Sequence, residues 1–335
     1  MKAKIPVTIM TGCLGSGKTT VLNYLLQQTN NQRTAIIVNE FGKAGLDHHL
    51  LRESQEKISL INSGCMCCNS REDLENELKT LLFEHERYAQ GYEKVIIETT
   101  GLADPAPIVF TIINNPILKN HFEVNLIISA VDAKNAQLQL LNSKEFVKQI
   151  SVADHVVLTK NDLVSNSITN QTIKSINNIN PTVSIFEANH GIVDLNVLEK
   201  NLLEEPDYKK YGKYSSIHQD GQASQVNSIS FTFDNSLNWT AFTVWLSLLL
   251  HTHGEGILRV KGILDVGEEA PINLNGVQHI IHPPEHLEAW PENTNQSFIV
   301  FIVREIEPIN ILNSLKAFQN RIGSTVNLME YQERV

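Results

Sequence analysis

An apolar run from Val7 to Met10 breaks at Gly12 into GCLGSGKT, and a helical pattern begins at Lys18. This strand, loop and helix with G-x-x-x-x-G-K-[ST] spacing limits the fold more than any other feature of the chain. Its glycines let backbone N–H groups converge on a phosphate at a helix N-terminus. Gly12, Cys13, Leu14, Gly15, Ser16 and Gly17 would form the cradle, with Lys18 neutralising β- and γ-phosphate oxygens. The Thr19 hydroxyl can ligate Mg²⁺, and Thr20 follows in the same helical turn. An ordinary glycine turn is the competing reading.

A nucleotide loop of this kind belongs to βαβ units, and the rest of the first 200 residues fits that pattern. Short β-branched runs recur at Thr34–Val38, Lys57–Ile61, Val95–Ile97, Val124–Ser129, Val156–Leu158 and Val183–Phe186. Helical patterns lie between most of them, clearest at Lys18–Gln28, Arg71–His85, Pro105–Asn114 and Ile168–Asn178. The alternation predicts an α/β fold, a P-loop domain around a mostly parallel sheet. Residues 205–225 are polar and poor in aliphatics, as a linker would be, so the first domain is expected over 1–204. Residues 226–335 read as a smaller α+β domain. In it, Ser228–Phe233, Ile257–Val266, Gln278–Ile281 and Ser297–Val303 are expected strands and Pro308–Phe318 a closing helix. Asn238 caps a further helix whose Trp239, Phe242, Leu246 and Leu249 share a face.

Ligands in such sheets sit at the carboxyl ends of the strands. At one such end the run Val95–Ile97 delivers Glu98, then Thr99, Thr100 and Gly101. An acid there suits an outer-sphere Mg²⁺ partner, and Gly101 suits a group that senses the γ-phosphate; a mere helix-capping role for Glu98 is the plain alternative. At another, Val156–Leu158 leads into Thr159, Lys160, Asn161 and Asp162 (TKND). The Asp162 carboxylate can accept hydrogen bonds from guanine N1 and N2, whereas adenine offers an acceptor at N1, and the Lys160 stem can cover the base. GTP is therefore expected over ATP. Glu40, in NEFG after the second strand, emerges at the same edge as a group able to link a metal or Mg²⁺ to the nucleotide state, or as a solvated loop acid.

Composition narrows the partners. Lys plus Arg total 27 against 37 for Asp plus Glu, a net charge of −10, which disfavours nucleic acid and anionic membrane surfaces. The longest nearly apolar stretch, Ala241–Leu250, is about half the roughly 20 residues that span a bilayer. The N-terminal MKAKIPVTIM has no cleavage-type end, so a cytoplasmic protein with reduced thiols is expected. Three of its four cysteines, Cys65, Cys67 and Cys68, fall within GCMCC ahead of the Arg71 helix. Three thiolates from one turn can hold three vertices of a tetrahedral Zn²⁺ or Co²⁺ site, leaving one vertex for exchange. A redox-active dithiol and buried apolar cysteines are the alternatives, and Cys13 reads as a small packing residue. Asp47, His48 and His49 fit a polar loop as well as ligation. His251, His253, His279, His282 and His286 are more often capping or solvated than ligating, and Arg259, Lys261 and Gly262 (RVKG) lie on an expected strand, either in contact with a client or the first domain or on an exposed sheet face.

Taken together, GCLGSGKTT, NEFG, GCMCC, ETTGLADP, TKND and ILRVKG resemble the CobW-like family of metallochaperone GTPases, P-loop proteins grouped with the nickel-insertion GTPases of urease and hydrogenase maturation. The resemblance covers nearly the whole chain. It implies a GTPase that, with GTP and Mg²⁺ present, binds Zn²⁺ or Co²⁺ through Cys65, Cys67 and Cys68 and delivers it to a client metalloprotein. Two positions depart from the family pattern: Lys43 stands where an acid often follows NEFG, and the linker holds only His218. A P-loop small-molecule kinase and a non-catalytic nucleotide-binding interaction protein are the alternative functions, and oligomeric state is open between monomer and homo-oligomer.

Overall fold

The computed structural model describes residues 3–28, 33–38, 59–60, 71–87, 91–200, 226–291 and 296–328. Glu40, Lys43, Asp47, His48, His49, Cys65, Cys67, Cys68, His218 and the linker 205–225 lie outside the described residues. The chain divides into two compact units, Met1–Leu140 with Ala153–Thr172 and Ser184–Lys200, and Leu141–Val152 with Ile173–Val183 and Asn201–Val335.

In chain order the first part carries β1 (Ile5–Thr11), α1 (Lys18–Gln28), β2 (Thr34–Val38), β3 (Ser59–Leu60), α2 (Arg71–Arg87) and β4 (Lys94–Glu98). There follow α3 (Ala106–Asn114), α4 (Leu118–His121), β5 (Phe122–Asp132), α5 (Ala136–Asn142), α6 (Lys144–Val152), β6 (His155–Thr159), α7 (Asn166–Ile179) and β7 (Ser184–Glu187). The seven strands pair in the order β3-β2-β4-β1-β5-β6-β7, every pair parallel. Parallel strands need both faces covered, which explains why β1, β4 and β6 read as continuous apolar runs. On one face Val21, Leu22, Leu25 and Leu26 of α1 pack against Met10, Ile36, Ile96, Leu126, Ile128 and Val157. The helix α3, which buries Ile108, Val109 and Ile112, lies against β5 and α2.

The second unit adds β8 (Val226–Phe233), α8 (Trp239–His253), β9 (Ile257–Leu264), β10 (Ile272–Val277), β11 (Ile280–Ile281), β12 (Glu285–His286), β13 (Ser297–Arg304), α9 (Pro308–Ile322) and β14 (Val326–Leu328). Its sheet is antiparallel in the order β11-β10-β9-β13-β8-β14, with β12 on β10. The expected strand Gln278–Ile281 is in fact a hairpin: INLNGV forms β10, Gln278 turns with φ +54°, and β11 returns as two residues. Asn238 caps α8 as expected, its Oδ1 accepting from Ala241 N at 3.0 Å.

One face of this sheet buries Phe231, Phe301, Val260 and Leu274 under α8 and α9. Trp245 is the largest side chain in that layer, edge-on to Phe301 at 6.1 Å, with its Nε1 donating to Ser314 Oγ at 3.0 Å. The alternate positions Ser228, Ser230, Arg259, Lys261 and Asn273 are polar yet buried. Arg259 Nη1 donates to Val152 O at 2.9 Å and Nη2 to Asn275 Oδ1 at 3.2 Å. Asn180 Nδ2 donates to Ile150 O at 3.0 Å, so two side chains satisfy carbonyls that end the helix α6. The RVKG strand is thus an enclosed one, not an exposed face. Trp245→Ala should lower unfolding free energy by about 3–5 kcal/mol in urea titrations, and Trp245→Phe, which keeps the aromatic contact and loses the Ser314 bond, by well under half of that.

Candidate functional site

The phosphate loop leaves the central strand β1 between β4 and β5. Gly12 has φ +134°, and a Cβ there would sit 2.3 Å from Ala130 O on β5, so this position admits no side chain. Ser16 N donates to Cys13 O at 3.1 Å and closes the turn. Cys13 is buried, while Leu14 is 84% exposed at the loop's tip. Lys18 opens α1 with its Nζ on Gly12 O at 2.9 Å and Cys13 O at 3.1 Å, which holds the ammonium across the cradle. The first turn of α1 therefore brings together a helix N-terminus, a lysine and a hydroxyl, a set that suits a polyphosphate.

Strand β4 runs beside β1 with Met10 opposite Glu98. The Glu98 carboxylate, 3% exposed, accepts from Thr19 Oγ1 at 2.7 Å. Because that hydroxyl spends its proton on Glu98, its lone pairs remain for a cation, as the Mg²⁺ reading of these two residues requires. Thr99 ties the two strands further, its N donating to Met10 O at 2.9 Å and its Oγ1 to Thr11 Oγ1 at 3.0 Å. Gly101 then passes so close to the phosphate loop that a Cβ would lie 2.3 Å from Leu14 N. Leu102, 74% exposed, follows it.

Strand β6 leads into TKND. Thr159 Oγ1 donates to Ser16 O at 2.7 Å, joining TKND to the phosphate loop. Lys160 is left-handed, φ 59° and ψ 29°, and precedes a short 3₁₀ turn, Asn161–Leu163, that carries Asp162. Asn161 Nδ2 donates to Glu187 Oε2 at 3.0 Å at the end of β7. His190, also at positive φ, places Nε2 3.9 Å from Asp162 Oδ2. The residue that sequence reasoning missed is Asp132, which ends β5 opposite Thr159 and is 2% exposed. Its Oδ2 accepts from Lys160 Nζ at 2.7 Å. An acid ending a β-branched run was the signal that singled out Glu98, and Asp132 carries the same one.

The structure thus gathers Gly12–Thr20, Glu98, Gly101 and Thr159–Asp162 at one edge. Among the described residues no group of three or more His, Cys, Asp or Glu could hold a metal ion. Of the histidines in the second unit, His286 pairs with Glu268 at 2.8 Å.

Burial would raise the Asp132 carboxyl, but hydrogen bonds from Lys160 and Asn135 outweigh it and hold it below the usual carboxylate range. A carboxyl lowered in the folded state stabilises fully above its unfolded value and loses that contribution as pH falls through the folded one. The stability gap between wild type and Asp132→Asn should therefore be widest near neutral pH and close in acid, as read by urea unfolding across pH. Gly101→Ala must push the Glu98 loop off Leu14, and hydrolysis should fall roughly a hundredfold while circular dichroism is unchanged.

The chain matches the model of the CobW/HypB/UreG nucleotide-binding domain over residues 6–187 and that of the CobW C-terminal domain over 226–319. It is 28% identical to "Zinc chaperone YjiA" of Escherichia coli K12 over 89% of this chain and 93% of that protein. It is 27% identical to "Zinc chaperone CobW" of Pseudomonas aeruginosa over 94% and 91% of the two. A crystal structure of Zn(II)-bound YjiA GTPase from E. coli superimposes with a TM-score of 0.67 at 25% identity, covering 94% of this chain and 99% of that one. With an α/β nucleotide edge and an antiparallel second sheet that both match, the chain belongs to the CobW/HypB/UreG family and carries a CobW-type C-terminal domain.

Proposed function

We propose that this chain is a GTP-hydrolysing metallochaperone that takes Zn²⁺ or Co²⁺ on Cys65, Cys67 and Cys68 and passes it to a client metalloprotein. The observation that carries the nucleotide half is the direct bond from Thr159 Oγ1 to Ser16 O, which ties a guanine-reading segment to a phosphate cradle. Asp162 would accept guanine N1–H and N2–H, and Lys18 would balance the β- and γ-phosphate charge. Mg²⁺ would be held by the Thr19 hydroxyl with Glu98 behind it, and there it supplies charge neutralisation for the departing diphosphate.

The metal half rests on GCMCC and on relatives named zinc chaperones, one of them solved with Zn(II). The metal is cargo. Three thiolates with an exchangeable fourth position suit a site that must both load and release, and Glu40, following the β2 strand, would report the nucleotide state to it. Ordering of loops by GTP completes the site, and hydrolysis loosens it. A client metalloprotein then receives the ion.

Linkage gives the decisive measurement, since GTP and metal must change each other's affinity by one factor. Titration calorimetry of Zn²⁺ or Co²⁺ should show tighter binding with a non-hydrolysable GTP analogue and Mg²⁺ than without, and equal affinities would sink the switch. Cys65→Ala should abolish the difference while leaving nucleotide binding intact. For the base, Asp162→Asn turns an acceptor into a donor. It should lose guanosine diphosphate by roughly a hundredfold and gain xanthosine diphosphate, whose C2 carbonyl accepts, in competition binding.

A further inference from the structure

We propose that Asp132 is a positioning residue for the guanine nucleotide, acting through Lys160, which it pins between the base-reading segment and the phosphate loop. The inference rests on the reading of Thr159–Asp162 as the base-reading segment and deepens it.

The Asp132 carboxylate has its own scaffold. Oδ1 accepts from Lys134 N at 2.9 Å and Asn135 N at 3.3 Å, and Oδ2 accepts from Asn135 Nδ2 at 2.8 Å. These donors belong to the turn between β5 and α5, so the carboxylate is fixed whether or not Lys160 is present. The remaining capacity of Oδ2 goes to Lys160 Nζ at 2.7 Å, and the same ammonium donates to Gly15 O at 2.7 Å. A lysine has a flexible four-carbon stem and a strong hydration shell, so an exposed one would wander. Here two acceptors, one at the end of β5 and one in the phosphate loop, hold its head, and its left-handed backbone starts the 3₁₀ turn that contains Asp162. The stem is therefore stretched between Asp162 and Gly15 before any base arrives. Preorganisation of that kind strengthens binding by removing the cost of ordering the side chain.

The chemistry of an isosteric change follows from the same bonds. In Asp132→Asn the amide oxygen can still take the Lys134 and Asn135 N–H groups. Its NH₂ then faces the Lys160 ammonium, donor against donor, and Lys160 loses its charged acceptor and is held by Gly15 O alone. The Asp132 carboxylate bonds to Lys134, Asn135 and Lys160 rather than to Lys18, Thr19 or Glu98, so its replacement should act on nucleotide affinity and leave turnover of bound GTP unchanged.

The test is a double-mutant cycle on the full-length protein, with a fluorescent guanosine diphosphate for affinity and dissociation rate and GTP for KM and kcat. Asp132→Asn should raise both the dissociation constant and KM about tenfold with kcat unchanged, and Lys160→Met should do the same. The double variant should be no worse than either single one. Losses that add, a fall in kcat at unchanged KM, or no loss in Lys160→Met would each overturn the proposal. The Lys160 variant decides even if Asp132→Asn fails to fold, because its side chain is 36% exposed. Asp162→Asn run alongside separates the two readings. A switch to xanthosine diphosphate together with an additive cycle overturns the role of Asp132 alone, whereas no switch overturns the base reading and this proposal with it.

Discussion

Parallel pairing of β1 with β4 on one side and β5 on the other is the constraint on which the nucleotide site depends. Strands that run the same way end at the same edge, so the loop after β1, Glu98 at the end of β4, Asp132 at the end of β5 and Thr159 at the end of β6 converge without any long excursion of the chain. The pairing is possible because apolar side chains cover both faces. It leaves the polar chemistry nowhere to go except the strand ends. Backbone contact then does the fine placement: Gly12 against Ala130 and Gly101 against Leu14 are approaches that a single methyl group would forbid.

Much of that arrangement was legible because it is local in sequence. The phosphate loop, Glu98 and TKND are each a strand end followed by a short run, and the alternation of apolar runs with helical patterns placed β1, β2, β4, β6 and α1 closely. What escaped was long-range. Asp132 is a lone acid until β5 and β6 lie in register and bring it to Lys160, 28 residues away. The expected strand Gln278–Ile281 passes over INLNGV, although Ile272 and Leu274 alternate with Asn273 and Asn275, and the turn depends on a positive φ at Gln278, a residue type that does not announce one. RVKG was ambiguous for a similar reason: an arginine and a lysine on a strand suggest solvent, and long-range acceptors such as the carbonyl of Val152 and the side chain of Asn275 make burial of Arg259 acceptable.

The Thr19–Glu98 and Thr159–Ser16 bonds have a common character. In each, a threonine hydroxyl spends its proton on an oxygen of a neighbouring segment, the Glu98 carboxylate in the first and the Ser16 carbonyl in the second, and so ties two segments together. β-branched threonine suits both places, since it is stiff at χ1 and compatible with a strand end or a first helical turn. The site is therefore tied together by small neutral hydroxyls as well as by charged side chains on backbone groups, such as Lys18 on Gly12 O and Lys160 on Gly15 O.

The bond from Arg259 to Val152 also bears on how such a chain could be shortened or recombined. The helix α6 lies between β5 and β6 in sequence, yet it belongs to the compact unit that contains β9. A severed first half ending before residue 205 would keep α6 but lose the guanidinium that satisfies its last carbonyl. The second half alone would lack the helix altogether. Interleaved ownership of this kind makes the two units inseparable by a single cut, so a gene fragment inherited through such a cut would not carry a finished part.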